Sequence, residues 1–437
     1  MSSIIEQPRY SCALSAQQTV LAIPKAHPII HAGPGCSERA HLYSAVNGGY
    51  QGEGYTGGPH ISSTNSTQKE IIFGGEKKLR DTISGALEVI DSDLYVVMTG
   101  CTADIVGDDT VSVAKEFAEE GHPVVGVETA GFKGTVYYGY HQILKAIIEQ
   151  YVGDAEPAVR KGLVNVFAGV PYQNPFWKGD LQEIKEQLER LGLEVHVLFG
   201  EQSEGVFEWK DIPNAELNLL LSPWVGTETV KLLERKYGTP YLQFPGVPVG
   251  AKQTGELLKR IGEKLDLQGV EEEIERQERI YYGYFNAVAD FLADYREEMA
   301  YKFYAVADSN YGVSVSKFLR EELGMLPQGI FLTDEPKDKY RDAILDGLRE
   351  KDESLADRIV FENDGGKIQK QIRETLDADA SRTLILGSTW DKFLAEELES
   401  QYIPLSVPLP QLVVYNTSYA GYRGGITLLK EICNGIF

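Results

Sequence analysis

Long apolar runs are missing from this chain of 437 residues: no stretch reaches the roughly 18 consecutive apolar residues that a membrane-crossing helix requires. Clustered basic residues are missing too. Lys and Arg number 42 against 65 Asp and Glu, a formal net charge of −23, and such a balance lacks the electrostatic footprint of a nucleic-acid binder. The opening residues, Met1 to Arg9, show no basic region followed by an apolar one, so the sequence reads as neither secreted nor membrane-spanning. Cysteine is scarce, with four residues and no C-x-x-C pair. That excludes the zinc-ribbon and thioredoxin-like patterns and any dense disulfide framework, and it suits a reducing cytoplasm. No P-loop, nucleophile motif or Ser-His-Asp order stands out.

What cysteine there is gathers early. Cys12 sits in Ser11-Cys12-Ala13, Cys36 in Gly33-Pro34-Gly35-Cys36-Ser37, and Cys101 in Thr99-Gly100-Cys101-Thr102. Each is flanked by Gly, Ser or Thr rather than packed in an apolar run, whereas a free cysteine serving only as a small core residue is commonly buried among apolar neighbours. Thiols on separate loops can converge in space to ligate an iron–sulfur cluster. Three would leave such a cluster under-coordinated, so a partner chain is expected to supply the rest. Cys433, on an amphipathic C-terminal helix, reads as structural.

Length allows about three domains on a prior of roughly 150 residues each. Apolar runs of strand length alternate with helical stretches throughout: 94–98 and 123–127, then 163–167, 194–198 and 217–221, then 304–307, 329–332, 359–361 and 383–386. This alternation predicts α/β architecture, three Rossmann-like domains with mostly parallel sheets whose carboxyl-end loops carry the chemistry. The expected divisions are 1–160, a cluster-binding domain; 161–270, a second domain; and 271–437, a third that begins with a charged bridging helix from about Glu271 to Arg296 and ends in the C-terminal helix.

Other features read as ordinary. Gly52, Gly54 and Gly57 match a dinucleotide fingerprint. They follow no strand and open no helix, so a surface or interface loop is the expectation. His27, His31, His41 and His60 lack the paired spacing of a helical metal site and are expected to be satisfied or solvent-facing. Asp108 and Asp109 complement a helix dipole, or hold the Cys101 turn by hydrogen bonds. The Tyr281-Tyr282-Gly283-Tyr284-Phe285 cluster reads as packing.

Three segments together resemble the nitrogenase component 1 family: His31-Ala32-Gly33-Pro34-Gly35-Cys36, Phe73-Gly74-Gly75-Glu76-Lys77-Lys78-Leu79 and Gly100-Cys101-Thr102-Ala103-Asp104-Ile105-Val106-Gly107-Asp108-Asp109. The closing Asn416 to Gly425 segment is similar to the end of β-type members. The resemblance implies that Cys12, Cys36 and Cys101 are this subunit's share of a P-cluster, an [8Fe-7S] centre shared with the partner chain, with [4Fe-4S] as the alternative. It also matches Thr135 to a hydroxyl position beside that cluster. Cofactor-bearing α chains of the family use a cysteine in the second domain and a histidine in the third. Here no Cys lies between Cys101 and Cys433, and the last His is His196, so the resemblance implies a β-type, electron-relay subunit.

By the same resemblance, an ATP-dependent iron protein passes electrons to the cluster, which serves a metallocofactor in a homologous α subunit, within an α2β2 heterotetramer. The arm before Cys12 is shorter than in molybdenum nitrogenase β chains, which favours a nitrogenase-like reductase, such as the methylthio-alkane reductase group, over a vanadium, iron-only or molybdenum nitrogenase. A cofactor-assembly scaffold has the same fold and cysteines. A metal-free α/β binding module is the expectation should the thiols hold no iron.

Overall fold

Why the apolar runs become strands is clearest in Leu94-Tyr95-Val96-Val97-Met98-Thr99, where β-branched and aromatic side chains alternate across a pleat and all six residues are buried. The computed structural model of the chain describes residues 4–42, 47–51, 60–376 and 382–436. Its first sheet holds β1 (Ala26–His31), β2 (Ser62–Ser63), β3 (Leu94–Thr99) and β4 (Val124–Glu128), in the order β2-β1-β3-β4. The second holds β5 (Arg160–Ala168), β6 (Glu194–His196), β7 (Ala215–Leu221) and β8 (Tyr241–Phe244), in the order β6-β5-β7-β8. The third holds β9 (Lys302–Ala307), β10 (Leu326–Leu332), β11 (Ile359–Phe361), β12 (Thr383–Gly387) and β13 (Gln401–Pro404), in the order β11-β10-β9-β12-β13. Every ladder is parallel, with Ile29 opposite Val97, Val166 opposite Leu219 and Leu386 opposite Ala305. The expected α/β class, with three parallel sheets, is what the chain adopts.

A parallel sheet needs apolar cover on both faces. One continuous core joins the first two sheets, running from Ile30, Val96 and Val125 to Val166 and Leu219, while a second surrounds Phe303, Ala305, Ile330 and Leu384 in the third. Asp180 ties these bodies together. It starts in the helix Trp177–Glu189, lies fully buried, and accepts bonds from the Tyr311 hydroxyl, from Ser418 Oγ at 2.8 Å and from the Tyr419 and Ala420 N–H groups at 2.9 and 3.0 Å.

Several local expectations differ from the structure. The bridging helix is two helices, Val270–Ala287 and Ala289–Asp294, broken at Val288. Strands β2, β8 and β13 have two to four residues and too few apolar positions to register as strands. Gly52, Gly54 and Gly57 lie outside the described residues.

Because all strands run the same way, the loops after β1, β3 and β4 emerge on one edge. Behind that edge sits His27 on β1, 3% exposed, bonded through Nε2 to Ser62 Oγ at 2.8 Å and edge-on to Tyr95. Burial, helped by the nearby His60, pushes its pKa down to about 4 from 6.5. The unfolded chain therefore takes up a proton between pH 6.5 and 4 that the native chain refuses, so stability from this group is present above 6.5 and lost as pH falls. The loss is on the order of 3 kcal/mol by the acid end. Replacing His27 by Gln is expected to flatten the acid limb of the urea-stability curve across that window; parallel curves for both proteins would refute the assignment.

Candidate functional site

The three early cysteines arrive from three directions. Cys101 opens the helix Cys101–Val106 straight after β3, and Cys36 lies in the first turn of the helix Pro34–Leu42 that follows β1, its N–H donating to Gly33 C=O at 3.1 Å. The two loops are pressed together at Gly100, whose N–H donates to His31 C=O at 3.0 Å; a Cβ there would meet the Ala32 Cβ at 2.5 Å. Only glycine permits that approach. Cys12 comes from the chain's opening arm and pairs with Thr135 in an antiparallel bridge, in which the Ala13 N–H donates to Gly134 C=O at 3.0 Å and the Val136 N–H to Ser11 C=O at 2.9 Å.

All of this closes on Gly131, in the turn Gly131–Lys133 after β4. Its N–H donates to Cys101 Sγ at 3.1 Å, and a Cβ on it would stand 3.1 Å from Cys12 Sγ and 3.2 Å from Cys101 Sγ. Cys36 is near enough that both other sulfurs, added to burial as the first cause, raise its thiol pKa. Thus Cys12, Cys36, Cys101 and Thr135 are brought to one edge. Thr135 is the N-cap residue of the helix Val136–Ala146, and its side chain makes no capping bond. Cys12 is exposed and Cys36 and Cys101 are half-buried. Cys433 lies elsewhere, buried on the helix Gly421–Asn434, which packs on Gly250–Leu265 and Val270–Ala287.

Charged and polar groups fix the frame. Lys133 Nζ reaches Asp104 at 2.8 Å and Glu128 at 2.7 Å, tying the Gly131 turn to the Cys101 helix and to the end of β4. The fully buried His31 bonds Thr64 Oγ1 through Nδ1 at 3.1 Å and Asp108 through Nε2 at 2.9 Å, while the Gly75 N–H donates to both Asp108 oxygens at 2.9 Å. Burial, the first cause, lowers the His31 pKa, with Asp108 working against it. Asp108 therefore holds the segment after the Cys101 helix by hydrogen bonds, the second of its two expected roles, and Asp109 caps the next helix by accepting from the Ser112 N–H at 2.9 Å. His27 and His31 are satisfied and His60 is exposed, whereas the His41 side chain lies outside the described residues. Gly131 and Lys133 went unmarked as site residues in the sequence, although a glycine-flanked turn directly after a strand was a usable signal.

Three thiols with no imidazole or carboxylate between them are a donor set suited to iron–sulfur chemistry. Among the described residues no three His, Cys, Asp or Glu side chains come close enough to hold one metal ion. Exposed apolar side chains lie on the same elements: Phe132 beside Gly131, Ile105 on the Cys101 helix, and Ile72 and Phe73 on the helix Gln68–Phe73, which packs against it. Phe73 is 81% and Ile105 74% exposed, an arrangement that marks a protein interface.

Elsewhere the three sheets meet at a polar junction. Asp334 accepts from Trp224 Nε1 at 2.6 Å and from Ser309 Oγ at 2.7 Å, and Asp308 accepts from Asn174 Nδ2 at 2.8 Å. Both carboxyls are buried. Burial, then Asp334, lifts Asp308 to about 7. Tyr137 packs at a tilt against Trp224, ring centres 5.6 Å apart.

Fold and thiols together define an α/β chain with three of its cysteines brought to the carboxyl edge of one parallel sheet. A family profile described as nitrogenase component 1 type oxidoreductase matches residues 11–437. The chain belongs to that family. Among curated relatives, the nitrogenase iron-iron protein beta chain of Rhodobacter capsulatus is 22% identical over 466 residues, 98% of this chain and 93% of its own. The nitrogenase molybdenum-iron protein beta chain of Clostridium pasteurianum is 24% identical over 86% of this chain and 83% of its own, and the molybdenum-iron protein alpha chain of Methanothermobacter marburgensis is 24% identical over 86% and 75%. A solved structure described as nitrogenase Cp1 at pH 6.5 superposes with a TM-score of 0.79 at 20% identity, covering 100% of this chain and 94% of that one.

Proposed function

We propose that this chain is the β-type, electron-relay subunit of a nitrogenase-like reductase, with Cys12, Cys36 and Cys101 holding its share of an iron–sulfur cluster at the boundary with a homologous α subunit. The observation that carries this reading is the meeting of the Cys12 and Cys101 thiols at Gly131, with Cys36 close enough to feel both, beside exposed apolar side chains. Such a cluster, when bound, supplies one-electron storage at a potential set by ligation, hydrogen bonding and burial. The protein's own contributions are specific. The Gly131 N–H points at Cys101 Sγ and stabilises negative charge there. The absent side chain of Gly131 keeps the space between Cys12 and Cys101 open, and Thr135, whose side chain makes no capping bond, is paired with Cys12 through the backbone. The exposed apolar side chains support a partner that covers the thiols and excludes water.

A β-type role is supported further by what the later two-thirds of the chain lacks: no Cys lies between Cys101 and Cys433, and no His follows His196, to offer a cofactor the thiol and imidazole of a cofactor-bearing chain. On this reading the catalytic metallocofactor belongs to the α subunit, an ATP-hydrolysing iron protein delivers the electrons, and the assembly is an α2β2 heterotetramer in the cytoplasm. Reductases of the methylthio-alkane kind come first on this reading and a dinitrogen-reducing enzyme second; ammonia formation from dinitrogen by the reconstituted complex would reverse that order.

The test is iron and acid-labile sulfide content, with an EPR spectrum, on the chain purified without oxygen together with its co-expressed partner. About eight irons per heterodimer beyond the partner's cofactor is the expected result for [8Fe-7S], and about four for [4Fe-4S]. Iron confined to the partner, or none, would refute the relay.

A further inference from the structure

The arm that delivers Cys12 to the site is held by the opposite end of the molecule. Arg9, three residues before Cys12, has a side chain only 1% exposed; its guanidinium pairs with Asp391, bonds Ser388 and lies over the Trp390 ring at 5.3 Å. Asp391 is itself fully buried and closes a capping box with Ser388 at the start of the helix Thr389–Glu397, just beyond β12. The rest of the arm is bonded with equal density. Tyr10 donates to Glu335 at 2.6 Å and accepts from Asn363 Nδ2 at 2.6 Å. The Glu6 N–H donates to Asp364 at 3.3 Å, and the Gly365 N–H donates to Glu6 C=O at 2.8 Å. A Cβ on Gly365 would stand 2.7 Å from Gln7, so the arm lies directly on that backbone.

These partners follow β10, β11 and β12 at their carboxyl ends, and Arg9 inserts beside β12, where the strand order of the third sheet reverses. That crevice is where open α/β sheets ordinarily take a ligand. Here the chain's own arm fills it. The second sheet adds a hold on the same residue, with Gln173 Nε2 donating to the Arg9 C=O at 2.9 Å.

We infer that the Arg9–Asp391 pair is the positioning latch of the thiol site: docked in the third sheet's crevice, the arm fixes Ser11–Ala13 against Gly134–Val136 and so sets where Cys12 delivers its sulfur. This deepens the relay reading and rests on it. Arg9 and Asp391 are not ligands; they act through the backbone from Arg9 to Cys12, three residues on. Removing either partner leaves a buried charge uncompensated, which expels the arm and frees the bridge between Cys12 and Thr135.

Two measurements separate this inference from the function it serves. In the loaded complex, Arg9→Gln and Asp391→Asn are expected to lower iron content and to shift the EPR line shape and midpoint potential of the remaining centre. A wild-type spectrum, potential and iron count in both variants would overturn the latch while leaving the relay standing. In the iron-free chain, hydrogen exchange monitored by mass spectrometry is expected to show about tenfold or greater loss of protection over residues 11–16 and at Val136, with Leu94–Thr99 unchanged. Unchanged exchange at Ala13 and Val136 would overturn the latch whether or not the wild type holds iron. Should both charge variants fail to fold, Tyr10→Phe removes only the hydroxyl contacts to Glu335 and Asn363 and is read by the same exchange; protection equal to wild type there also counts against the latch.

Discussion

Gly131→Ala is expected to strip iron from the thiol site while leaving the fold intact. The added methyl would lie 3.1 Å from Cys12 Sγ and 3.2 Å from Cys101 Sγ, inside ordinary contact distance, so both thiols must turn away from the point they share. No left-handed backbone is involved, and the turn is held by Lys133 through Asp104 and Glu128. The folding cost should therefore stay near 1 kcal/mol, the ordinary size for a substitution of this kind. Moving ligands and their supporting donors in this way costs about 10–100-fold in metal affinity or activity. Cys36→Ala and Cys101→Ala remove ligands outright, and cluster and activity should vanish together. The informative contrast is that Gly131→Ala keeps all three sulfurs: an iron-replete, fully active Gly131→Ala complex would show that the thiols do not converge on a shared group.

The largest stability effect is expected at Asp180. Its side chain is the common acceptor for a hydroxyl on the third domain's helix Ser309–Glu321, for Ser418, and for two backbone N–H groups of the closing segment. Asp180→Ala removes the acceptor shared by four buried donors, leaving the Tyr311 hydroxyl and the Tyr419 N–H without one, and opens a cavity between three elements, a loss of roughly 3–5 kcal/mol from a net stability of about 5–15 kcal/mol. Equilibrium urea unfolding measures it, and a loss below about 1 kcal/mol would contradict the account. A pH signature accompanies it. Burial lifts the Asp180 pKa from 3.8 to about 6 against the pull of its donors, so this group's contribution is fully present below 3.8 and declines as pH rises through 6. The Ala variant lacks that limb.

Strand runs such as Leu94–Thr99 and Thr383–Gly387 were legible because a strand covered on both faces must be apolar throughout. The edge strands were not. Tyr241–Phe244 and Gln401–Pro404 carry half-buried polar residues and gain their pairing from a neighbour already in place. The thiols were legible one by one from their Gly, Ser and Thr neighbours; their meeting point was not, since Gly131 acts by having no side chain. Least visible of all was Arg9, whose partner lies 382 residues away with no local pattern to announce it. The helix broken at Val288 illustrates the converse: charged periodicity continued through a position where the backbone does not.

The docked arm also has a consequence for biosynthesis. Residues 6–10 leave the ribosome early, yet the groups that hold them, Glu335, Asn363, Asp364 and Asp391, are among the later-made parts of the chain. At about 5–20 residues per second, translation takes tens of seconds to supply them. Until then the nascent first sheet displays Cys36 and Cys101 without a fixed Cys12. The thiol set is therefore completed only after the third sheet has folded, so a truncated or stalled product lacks the ligand set of a finished chain.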